Sequence, residues 1–113
     1  MRPSREPEPI PRLNPPPEGQ TLRGWCLYQD DRWDGPVPQE YDDEGWLVYP
    51  DIATAYRGLA REMRRRCDLF ETGELPGTSL SCSWYPHEVT YLPDGIVRDD
   101  TGADFDPERP WGG

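Results

Sequence analysis

Proline sets the limits on what this chain can fold into. It occupies 15 of 113 positions, and each one fixes φ and removes a backbone donor. Seven fall within residues 1–21: Pro3, Pro7, Pro9, Pro11, Pro15, Pro16 and Pro17. Besides Met1, only Ile10 and Leu13 are clearly apolar there. A segment so poor in donors and apolar surface does not offset its ordering entropy. Residues 1–21 are therefore expected to form a disordered or polyproline-II arm. A single small domain over residues 22–113 is expected to follow it.

The strongest element lies between Pro50 and Pro76. Asp51 is a good N-cap, and residues 52–70 follow a helical period. Ile52, Ala55, Tyr56, Leu59, Met63, Cys67 and Phe70 recur at spacings of three and four, which predicts one apolar stripe facing the core. Arg57, Arg61, Arg64 and Arg65 fall mostly away from it, and Gly73 suits the helix exit.

The flanking segments read as strands. Leu22–Tyr28 is one, and Gly45–Tyr49 is a short strand or an extended lead-in to Pro50. In Ser79–Tyr85 the residues Leu80, Cys82 and Trp84 alternate with serines, the pattern of a half-buried strand. Pro86 is expected to interrupt, with His87–Leu92 as the next strand. Pro93-Asp94-Gly95 is a turn, Ile96 and Val97 begin a returning strand, and Asp99-Asp100-Thr101-Gly102 is a second turn before Phe105. The expected fold is α+β: a small antiparallel sheet of three to five strands packed on one helix.

The formal net charge is −10, and all 12 basic residues are arginines. Such a balance argues against unaided binding to DNA, RNA or anionic lipid. No run approaches the roughly 18 apolar residues of a membrane span. The charge is patterned. Asp30, Asp31, Asp34, Glu40, Asp42, Asp43, Glu44 and Asp51 face only Arg32, a net of −7. Residues 94–109 carry −4, with Asp99, Asp100 and Asp104 among the acids. The stretch from Asp30 to Glu44, broken by Gly35, Pro36 and Pro38, reads as an acidic loop. Asp suits turn geometry and negative charge aids solubility, so acidic turns have an ordinary explanation. Density is what points further. Carboxylates within a Debye length of about 8 Å repel one another, a cost that a functional field would justify.

Catalytic and metal-binding readings are weaker. Cys26, Cys67, Cys82 and His87 are the only soft ligands, and no C-x₂-C pair joins them. Cys67 on the helix stripe and Cys82 on a strand face read as core thiols. Asp42, Asp43 and Glu44 are consecutive and diverge, and the spacing of an EF-hand loop is absent. No enzyme activity, cofactor or metal is expected. An odd cysteine count and the absence of an apolar leader after Met1 point to a reducing cytoplasm. Five tryptophans and six tyrosines are many for this length. Trp25, Trp46 and Trp84 suit a thin core, whereas Trp33 and Tyr41, set among acids, suit a protein interface.

A small, lysine-free, strongly acidic domain with carboxylates at Asp42-Asp43-Glu44 and Asp99-Asp100 resembles the inhibitors encoded by phages and mobile elements, of the anti-CRISPR and antirestriction type. The resemblance is one of size, charge and style over residues 22–113. It implies a non-enzymatic inhibitor that presses carboxylates into a basic groove of a nucleic-acid-processing protein, in the manner of a DNA mimic. The expected contacts are Asp30, Asp31, Trp33, Asp34, Glu40, Tyr41, Asp42, Asp43, Glu44, Asp99, Asp100 and Asp104. The competing expectation is an adaptor or accessory subunit that binds a protein partner through the arginine-bearing helix or the proline-rich arm. Nothing in the sequence sets the oligomeric state.

Overall fold

The computed structural model describes residues 9–74 and 83–109. Its longest strand, β1 (Leu22–Asp31), pairs antiparallel with β2 (Gly35–Pro38) at its far end. From Leu22 to Tyr28 it pairs with β5 (Tyr85–Tyr91). Next to β2 along the chain, β3 (Tyr41–Asp42) and β4 (Gly45–Trp46) form a separate small hairpin. The helix α1 spans Ile52–Glu71, and β6 (Val97–Arg98) and β7 (Asp104–Phe105) complete the sheet in the order β2-β1-β5-β6-β7. The architecture is the expected α+β: one helix with a five-stranded antiparallel, nearly closed sheet and a hairpin.

Proline behaves differently from the expectation at three places, for one reason. A missing donor is harmless on a strand edge that no neighbour reads. Residues 30–44 are not one acidic loop, because Gly35–Pro38 is an edge strand. Gln39 N–H donates to Leu27 O at 2.9 Å, so the alternate residues Pro36 and Pro38 turn their nitrogens outward. Pro86 does not interrupt either. It lies inside β5 opposite Leu27, where β6 covers only Thr90 and Tyr91 and leaves that edge open. Within the N-terminal segment, residues 9–21 carry almost no regular structure, but they are not a detached arm. Leu13 N–H donates to Val48 O at 2.7 Å, Pro16 is buried, and Ile10 and Leu13 pack on the core. Residues 47–49 in turn lie along β1, through paired backbone bonds between Trp25 and Tyr49 of 2.9 and 2.7 Å.

β1 separates two cores. One face carries Cys26 and Tyr28 into a cluster with Trp46, Val48, Val89, Tyr91 and Val97. Trp46 is fully buried, and its indole N–H donates to Phe105 O at 3.0 Å, which satisfies the polar end of the ring. The other face carries Leu27 against Tyr49 and Ala55 of α1, with Trp25, Leu59 and Trp84 around them. The Arg66 guanidinium lies 5.1 Å from the Trp84 ring centre. The expected strand Ser79–Tyr85 lies mostly outside the described residues, and so do Cys82 and Trp111.

The helix begins as expected: the Asp51 carboxylate accepts the Thr54 N–H at 2.7 Å. Its buried face is another matter. The buried residues are Thr54, Ala55, Gly58 and Glu62. Ile52, Tyr56, Met63 and Phe70 are 41 to 54% exposed, and Cys67 is exposed rather than a core thiol. At ~100° per residue, the buried face of the helix is turned by roughly 110° from the expected stripe. The Tyr49 ring is the cause. Its hydroxyl end lies against Gly58, where an added Cβ would overlap the phenol. Only a position without a side chain admits that ring, so Gly58 and its neighbours face the sheet.

Gly58→Ala tests this seat. In a free helix alanine would be favoured by about 1 kcal/mol. Here the Cβ drives Tyr49 from its place, an overpacking cost of about 1–3 kcal/mol. Urea unfolding should show a net loss of stability with an unchanged m-value, and a gain would disprove the close seat.

Candidate functional site

The carboxylates expected to form one surface divide into three groups. The first stands at the far end of β1. Asp31 Oδ1 accepts from Trp33 N–H at 2.7 Å and Asp34 N–H at 3.0 Å, which ties the β1–β2 turn and holds the Asp31 pKa low. The turn lifts Trp33 to 85% exposure, the highest among the large apolar side chains of the described residues. Asp30 accepts from the Tyr85 hydroxyl at 2.6 Å. Asp100 lies 3.0 Å from the His87 ring nitrogen. Tyr85 and His87 are alternate residues of β5 and share a face with Tyr28, whose ring centre is 4.5 Å from that of His87. Partial burial, the Asp30 bond and the charges of Asp30, Asp100 and Asp99 push the Tyr85 pKa up to about 12. The two acidic stretches of the sequence thus converge here, around an aromatic ladder.

The second group lies toward the other end. Tyr91 is opposite Leu22 and Tyr85 opposite Tyr28, about 20 Å apart along β5 at ~3.4 Å per residue. Burial raises the Tyr91 pKa, with Arg12, Asp42 and Glu44 among the charges that bear on it. Arg12 bonds Asp42, lies 3.5 Å from Glu44 and donates to Trp46 O at 3.0 Å. The guanidinium holds the Asp42 pKa below its usual range. Asp43 is exposed at the hairpin turn. Tyr41 packs edge-on to Trp46 at 5.3 Å, and its hydroxyl donates to Pro107 O. Asp104 is held by a two-point bond from Arg98, at 2.6 and 2.9 Å, and its pKa is lowered by it.

The third group faces inward. Glu40 keeps 12% of its side chain exposed, accepts from the Tyr49 hydroxyl at 2.6 Å and lies 3.7 Å from Arg61. Burial outweighs both partners and raises its pKa. Asp99 is 6% exposed, and its Oδ1 accepts from Thr101 N–H, Thr101 Oγ1 and Ala103 N–H. That Asp closes its own turn, which the Asp-Asp-Thr-Gly sequence already suggests. For Glu40 the sequence carries no such signal. Tyr28, Tyr85 and His87 were not among the expected contacts; the 85/87 alternation within one strand was hidden by the reading of Pro86 as a break.

Among the described residues, no three His, Cys, Asp or Glu side chains are grouped to hold a metal ion. Burial and the Glu40 charge raise the Cys26 thiol pKa far above the range of a nucleophile. No helix among the described residues is long and apolar enough to cross a membrane. No protein-family model, curated protein or solved structure matches the chain.

The shifted carboxylates set a pH profile. Glu40 has a folded pKa above its ordinary 4.5, so the folded state binds that proton more tightly than the unfolded state does. Its stabilisation is complete below 4.5 and is lost as pH rises through the raised value. Asp42 and Asp104 have folded pKa values below 3.8. Their stabilisation is present above 3.8 and is lost as pH falls through the lowered values. Stability measured by urea unfolding in dilute solution should rise on acidification toward 4.5 and fall below 3.8. Glu40→Gln should remove the rise and keep the fall; a variant that retains the rise assigns it to another group.

Proposed function

We propose that this protein is a non-enzymatic inhibitor that binds a basic surface of a nucleic-acid-processing protein through the far end of β1. The observation that carries the reading is Trp33, 85% exposed on a turn pinned by Asp31 and flanked by Asp30 and Asp34, with Asp100 farther back along the same sheet at His87. An exposed tryptophan on a rigid turn is a natural anchor for an interface, and surrounding carboxylates steer a cationic partner onto it. Asp42, Asp43 and Glu44 contribute less, because Arg12 neutralises part of their field. Resemblance in size and charge to anti-CRISPR and antirestriction proteins supports the choice of a nucleic-acid-binding target, and the cytoplasm is where such a target would be met.

Asp31 is excluded from the test because it holds the turn. Trp33→Ala and the triple variant Asp30→Asn, Asp34→Asn, Asp100→Asn are compared with the unaltered protein in pull-downs from the host at low and high salt. The unaltered protein should capture a nucleic-acid-binding protein and compete with duplex DNA for it. Trp33→Ala should weaken capture by about 2 kcal/mol or more, roughly thirty-fold. The triple variant and high salt should each abolish it. Capture indifferent to all three, or lost only when Arg57, Arg61 and Arg64 are replaced, moves the interface to the helix and overturns the proposal.

A further inference from the structure

We infer that the outward face of α1 is the contact surface of a two-fold, antiparallel homodimer. The rotation imposed by Tyr49 leaves Ile52, Tyr56, Met63 and Phe70 half exposed. They account for four of the six exposed large apolar residues among the described part of the chain. Ala53 and Cys67 are exposed between them, and Ala60 is half-buried. Ordinary surface helices do not concentrate apolar side chains on the face opposite their core.

The pattern on that face selects the occupant. Ala53, Tyr56, Ala60, Met63, Cys67 and Phe70 follow one another at alternating spacings of three and four, the period of a helix–helix seam. The spacing also sorts them by size. Ala53, Ala60 and Cys67 are small; Tyr56, Met63 and Phe70 are large. A second copy laid antiparallel, with the two-fold axis between Arg61 and Glu62, sets Ala53 against Phe70 of the second copy. Tyr56 then meets Cys67, and Ala60 meets Met63. Every layer joins one small side chain to one large one, which lets the helices pack closely without voids. A parallel pair would set alanine on alanine and tyrosine on tyrosine, so its layers would alternate between empty and overfull. The antiparallel register closes on itself, as an isologous contact must.

The strength and salt dependence follow from the same residues. A 20-residue helix is about 30 Å long, and a pair of that length lies toward the small end of specific interfaces. The dimer is therefore concentration-dependent. Arg57 and Arg64 border the seam, and in this register Arg57 of each copy approaches Arg64 of the other. Like charges there are screened by salt, so salt strengthens this contact, whereas it weakens one made by carboxylates on a basic groove.

Sedimentation of the full chain from micromolar to millimolar concentration, at low and high salt, reads the association. Met63→Glu, at a half-exposed position, should leave the far-ultraviolet circular dichroism unchanged and abolish the dimer. Register is read by oxidation in a Cys82→Ser background. Tyr56→Cys should crosslink to Cys67 of the second copy. Arg61→Cys, on the flank beside the N-terminal segment, should not. A monomer at every concentration, a dimer dissociated by salt, or a dimer in which Tyr56→Cys fails to crosslink each overturns the inference.

Discussion

The contact between the Tyr49 ring and Gly58 decides more of this molecule than any other. Tyr49 is fixed on the strand side by two backbone bonds to Trp25. On the helix side its phenol needs a position without a side chain. Once it is seated, the rotation of α1 is no longer free. Ala55, Gly58 and Glu62 face the sheet, the larger apolar residues turn outward, and Arg61 is brought to the Tyr49 hydroxyl and Glu40. A buried tyrosine satisfied by a carboxylate and a guanidinium is a polar network in which each member fixes the others. Close approach and hydrogen bonding here take precedence over the burial of Tyr56 and Met63, which stay half exposed.

A second constraint sorts the charge. The chain carries 22 carboxylates against 12 arginines, and a field that strong opposes a compact state. The fold relieves it by assigning acids to separate tasks. Asp51 caps the helix, and Asp31 and Asp99 close turns. Asp42, Asp104 and Glu62 are held by arginines. The carboxylates without an arginine partner stand mostly at turns, and one such turn, at the end of β1, sets Asp34 beside an exposed tryptophan. Surface pairs of this kind add little individually; their effect is local, in lowering the repulsion around each acid they hold.

The same logic applies to proline. Pro36, Pro38 and Pro86 all sit in strands, and each does so where the outer edge has no reader. An edge strand rich in proline is also protected from pairing with other chains. The N-terminal segment extends this: Leu13 adds one backbone bond to the outside of residues 47–49, and the prolines after it halt further pairing. Breakers of a central strand thus act as terminators of a peripheral one.

Local rules made much of this legible. The Asp51 cap, the helix over 52–70, the strand from Leu22, the turns at Pro93-Asp94-Gly95 and Asp99–Gly102 and the burial of Trp46 follow from spacing and turn chemistry within a few residues. So does the exposure of Trp33, set among acids that cannot follow it inside. The side of the helix that faces the sheet was not legible, since Tyr49 and Gly58 meet across a gap that periodicity does not see. Nor was the division of the acidic stretch. Glu40 and Asp42 are two residues apart, yet one is turned in to Tyr49 and the other out to Arg12. The sequence alone determined the helix and its cap, the strand from Leu22 and the turns after Leu92 and Arg98, because those depend on neighbours along the chain; the proline-bearing strands at Gly35–Pro38 and through Pro86 depended on which edge the fold left open. Tertiary structure alone decided which face is buried, which charge is matched and which strand edge stays open, because those depend on atoms that only the fold brings within contact distance.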